Sequence, residues 1–123
     1  MEMTMRRGWG RVLLRATLIG TILQLALAIA GHYEARIGSL FAAGGMFLSL
    51  VAGFIFARLA APIRPGAASL GGVVAGAVCA FIGIVESWRL GDVPGWVLAF
   101  GPCSSAVTGA VGGLLGRLTG RTA

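Results

Sequence analysis

The chain has 123 residues, 57% of them hydrophobic and 11% charged, with a formal net charge of +6 at pH 7, and its mean hydropathy is +0.90. That balance excludes a water-soluble domain of this size, in which about a quarter of the residues carry charge. The positive charge comes wholly from arginine and the arginines lie between apolar stretches, so they point to lipid head groups and membrane topology rather than to nucleic acid.

A helix that crosses a bilayer needs about 20 apolar residues. Four stretches qualify, and the sequence predicts an all-α polytopic membrane protein of one domain, with helices over about residues 12–31, 37–57, 66–87 and 93–115. The first follows MRRGWGRVLLR and contains Ala28-Ile29-Ala30, so it also has the parts of a secretory signal peptide. Its resemblance to the third stretch, described below, favours its retention as a span, and intact mass of the mature chain tests this. Thr17 and Thr21 can bond to a carbonyl of their own helix. Gln24 cannot do so easily, so it is expected to face the bundle and make an interhelical polar contact.

The second span carries Gly45, Ser49, Gly53 and Ala57 at four-residue spacing, and Pro62, Arg64 and Pro65 end it. The third carries Ala68, Gly72, Gly76 and Ala80, and the fourth Gly101, Ser105, Gly109 and Gly113. Residues four apart share one helix face, so these are smooth stripes on which another backbone can approach closely. The expected role is helix packing, either among the four spans or onto another subunit. Pro102 removes one hydrogen bond inside the fourth span and predicts a kink there.

Ala16 to Glu34 aligns with Ala68 to Glu86 at a shift of 52, matching Ala, Leu, Gly, Ala, Gly and Glu in register. The stripes of the second and fourth spans align at a shift of 56, which implies a four-residue insertion near Gly91-Asp92-Val93-Pro94. The reading is two tandem helical hairpins, about residues 12–58 and 66–117, related by a pseudo-twofold axis along the membrane normal.

Eight arginines (6, 7, 11, 15, 58, 64, 117 and 121) fall on the side of the termini and two, Arg36 and Arg89, on the other. Both termini are therefore expected in the cytoplasm, with Tyr33, Trp88 and Trp96 at the outer boundary. The arginine-, alanine- and glycine-rich composition suggests the inner membrane of a GC-rich bacterium. Glu34, Glu86 and Asp92 also map to the outer boundary, with His32, Arg36 and Arg89. They read either as interfacial ion pairs or, for Glu34 and Glu86, as a possible outer-face ion site. His32 has no specific partner in the sequence.

Cys79 and Cys103 read as small apolar filler. With no Cys/His cluster, no nucleophile beside a base and no phosphate-binding loop, neither a metal, a cofactor nor an enzymatic activity is expected. Two functions remain. One is a non-catalytic accessory or assembly subunit that packs through its small-residue faces onto partner subunits or onto itself in the lipid bilayer. The alternative is a small homo-oligomeric transporter or channel for an ion or small solute.

Overall fold

The structure, a computed structural model, describes the backbone of residues 2–120 and the side chains of residues 8–119. Arg6, Arg7 and Arg121, counted above for orientation, lie outside the described side chains. The chain is all-α: α1 is Glu2–Tyr33, α2 the single turn Ala35–Gly38, α3 Phe41–Ala60, α4 Pro65–Arg89 and α5 Val97–Gly120. Four of these, α1, α3, α4 and α5, are long and apolar enough to cross a membrane.

The helix ends differ from the predicted ones for local reasons. Helix α3 starts at Phe41 rather than residue 37, because Glu34 turns extended and opens the separate turn α2. Helix α4 starts at Pro65, in the first position of a helix, where a missing N–H is harmless. It ends in a left-handed Gly91 (φ 81°), with Gly91 N–H donating to Trp88 O and Asp92 N–H to Ser87 O, a Schellman close that favours glycine. Helix α5 starts at Val97 rather than residue 93, after a tight lead-in where Val97, Leu98 and Ala99 N–H donate to the Pro94, Gly95 and Trp96 carbonyls. Both turns at this end, 34–40 and 90–96, therefore have equal length. The four-residue difference between the repeat shifts falls in the last turn of α4 instead of in the loop.

In cross-section the spans form a rhombus. Helices α3 and α4 pack on each other along its short diagonal, and α1 and α5 lie on opposite sides, each packed on both α3 and α4. A twofold axis along the membrane normal is not compatible with this layout, since it would require α1 to meet α5 as α4 meets α3.

Small side chains fill the interior: Ala16, Ala52, Ala57, Ala68 and Ala75 are fully buried. Large apolar ones such as Leu14, Ile22, Phe47, Leu70 and Val107 point outward, as expected where the surroundings are hydrocarbon and association depends on close backbone approach. Phe56 is the large exception, its ring lying where a side chain at Gly71 would be. The end that carries both termini is closed by Ile63, packed with Phe56, Ala57 and Ala60, and by Arg117 Nε donating to the Ile63 carbonyl at 2.9 Å.

Candidate functional site

The stripes of small residues change role along their length. Toward the terminal end, α3, α4 and α5 converge until backbone meets backbone. A Cβ at Gly53 or at Gly72 would overlap the Gly109 carbonyl, one at Gly109 the Gly72 carbonyl, and one at Gly113 the Ala68 carbonyl. Gly76 is as tightly placed, 2.7 Å from its Cβ position to the Ser105 carbonyl. All three stripes are thus spent on one another within the chain at this level.

Toward the other end α3 and α5 splay apart. Gly45, Gly101 and Ser105, the upper members of their stripes, line a cavity of about 340 Å³. Phe41, Ala42 and Met46 of α3 form one wall and Trp96, Val97, Phe100 and Ser104 the other. Ala80 and Ile84 of α4 close the back, and Gln24 of α1 reaches in at the floor. The Trp96 and Phe100 rings meet edge to face, 5.9 Å between centroids. Ser105 lies eight residues into α5 and Gln24 nine from the end of α1, so the floor is about 12–13 Å below the helix ends, close to half of a ~30 Å hydrocarbon core.

Gln24 is 1% exposed and its amide joins three helices. Nε2 donates to the Gly45 carbonyl (2.8 Å) and to Ser49 Oγ (3.2 Å) on α3, and Ser49 Oγ donates in turn to the Gly76 carbonyl on α4 (3.2 Å). The Gly45 carbonyl can only accept, which fixes which end of the amide is nitrogen. Oε1 accepts no hydrogen bond from the described residues. Since every fully enclosed side-chain polar atom there has a partner, Oε1 is open to the cavity. The same holds for the hydroxyl of Ser105, a residue 3% exposed.

A smaller cavity of about 170 Å³ lies nearer the helix ends, lined by Ala28, Gly31, Ser87 and Asp92. It shares Gly38, Phe41 and Val93 with the larger one. His32, which lacked a partner in the sequence, has one here: Nδ1 lies 2.9 Å from Asp92 Oδ2, joining the end of α1 to the α4–α5 turn beside this cavity. At about one-third exposure the pair is worth less than about 1 kcal/mol. Asp92→Asn should therefore leave global unfolding nearly unchanged while speeding amide exchange in residues 90–96; unchanged exchange would show that the pair does not hold the turn.

Glu34 and Glu86 each have a partner close by in sequence. Glu34 accepts from Arg36 N–H at 3.4 Å in its own turn, and Glu86 pairs with Arg89 at 3.4 Å along α4. Pro102 lies inside α5, which continues through it. Cys79 is buried beside Gln24 and Ser49, Cys103 is exposed, and neither is in a disulfide. Sequence reasoning missed the walls, Phe41, Met46, Trp96 and Phe100, because nothing in their spacing separates a cavity wall from a lipid-facing surface.

These features define a multi-pass membrane protein of four spanning helices with a chamber reaching half its depth. Comparison with protein-family models, curated proteins and solved structures gives no match.

Proposed function

We propose that the protein is a small non-catalytic carrier or channel for a small solute, entered from the outer face of a bacterial plasma membrane. The chamber carries this reading: a half-open cavity between α3 and α5, stopped below by the glycine junction of α3, α4 and α5, and presenting unpaired polar atoms at its floor. A cavity that stops at half-depth above a closed junction is what one state of an alternating-access cycle needs. The accessory-subunit reading depended on small-residue faces left over for a partner, and Gly53, Gly72, Gly76, Gly109 and Gly113 meet one another's helices instead.

The excess of arginine on the terminal side favours a cytoplasmic position for that side, with the chamber in the outer half of the membrane. Single cysteines at Tyr33 and Leu90 should react with an impermeant maleimide added to intact cells; protection of both overturns the orientation. For transport, proteoliposomes of the purified chain should show faster entry of small neutral solutes, including benzamide, than empty vesicles. Ser104→Trp, which fills the chamber, should abolish the difference. Equal entry with and without protein, or entry indifferent to Ser104→Trp, rejects the carrier. A stoichiometric complex with other chains after mild extraction would return the accessory reading.

A further inference from the structure

The lining of the large cavity carries no charged side chain. The nearest acids and the histidine stay at the helix ends, engaged with Arg89, Arg36 or each other. A charged guest taken to half-depth would lose its hydration with nothing to replace it, a cost of several kcal/mol in a low-dielectric interior. The guest that fits is neutral.

The floor then specifies its polar group. The amide nitrogen of Gln24 is taken up by Gly45 and Ser49 of α3, with Cys79 Sγ of α4 a weak third neighbour at 3.9 Å, so the side chain offers the chamber its carbonyl oxygen. That atom can only accept. A guest without an N–H or O–H would leave it dehydrated and unpaired, the more costly half of a broken hydrogen bond. The Ser105 hydroxyl can answer either with a proton or a lone pair. Above the floor, Phe41, Met46, Trp96 and Phe100 offer aromatic edges and faces and a polarizable sulfur, surfaces that favour a flat ring. The volume of about 340 Å³ suits a single substituted ring or a small bicycle.

We propose that the chamber is a binding site for a neutral molecule with an apolar, aromatic body and one N–H or O–H donor, which donates to Gln24 Oε1 while Ser105 Oγ meets its polar end. The proposal rests on the carrier reading for its biological use but not for its chemistry. Water alone can also satisfy both atoms in a polar pocket, and the experiment separates the two.

Benzamide and N,N-dimethylbenzamide share ring and carbonyl and differ in the donor. Each is equilibrated by dialysis with the full chain in phosphatidylcholine/phosphatidylglycerol nanodiscs, with empty nanodiscs subtracted. The expected result is one benzamide per chain and binding of the dimethyl compound about tenfold weaker. Ser105→Ala, which breaks no bond within the protein, should weaken benzamide about fivefold, the size of one net hydrogen bond. Equal affinity for the two compounds, benzamide binding indifferent to Ser105→Ala, or no binding above empty nanodiscs overturns the proposal, the last meaning that the chamber holds water only. Discriminating binding without protein-dependent flux rejects the carrier alone. Flux that ignores the donor and Ser105 rejects the present proposal alone.

Discussion

Gly109→Leu is expected to prevent the bundle from assembling. Gly109 of α5 meets the backbones of α3 and α4 together: Gly53 and Gly72 each lie where only a hydrogen fits against its carbonyl. A side chain here is opposed by main-chain atoms, which cannot rotate aside as a leucine tip would. The Cβ falls on the Gly72 carbonyl and beside the Gly76 backbone of α4, so relief requires moving α5 away from α4, which also undoes the Gly113 approach to the Ala68 carbonyl. Overpacking a core typically costs 1–3 kcal/mol, occasionally more, and this position belongs at about 3 kcal/mol or above. The measurement is the fraction of monodisperse, protease-resistant chain after mild extraction. A well-folded Gly109→Leu monomer that has lost only an association with other chains would mean that the stripe is a docking face, contrary to its intrachain contacts.

The second large effect is at Gln24. Gln24→Met keeps length and shape but removes the amide that ties α1 to α3, and it leaves Ser49 with only the Gly76 carbonyl as a strong partner. Interhelical polar contacts in membranes contribute about 0.6–2 kcal/mol each, and two are lost together, so the expected loss is about 1–4 kcal/mol. Unfolding in a denaturing detergent titration reads it, and hydrogen exchange should show α1 released ahead of the other spans. Ser49→Ala in the same background closes a double-mutant cycle. Strictly additive losses would show that the Gln24–Ser49 bond contributes nothing of its own.

The membrane class and the four spans were legible because the need is crude: about 20 apolar residues, arginine and proline between them. The stripes were legible as faces, since a spacing of four is a property of any helix. Their change from tight junction to cavity wall was not. It depends on where α3 and α5 diverge, and Gly45 and Gly101 look the same in sequence as Gly53 and Gly109. The pairing of His32 with Asp92 spans sixty residues and arises only once α1 and the α4–α5 turn are side by side. The start of α5 was misplaced because apolar Val93 resembles span, although Pro94 and Gly95 set a separate turn before Val97. The twofold axis read from the repeat failed because similarity between two stretches says nothing of which helices meet, and α1 lies across the bundle from α5.

The rhombic layout also bears on how the chain enters the membrane during synthesis. Helix α1 emerges first, with the amide of Gln24 facing lipid until Gly45 and Ser49 arrive on the next span. Ser49 reaches its own acceptor, Gly76, only with the third. Helix α5 comes last, yet it supplies Gly109, Gly112 and Gly113, against which the two helices of the short diagonal close. Each polar group therefore waits about one span for its partner, whereas the small-residue faces of α3 and α4 stay uncovered until α5 joins them.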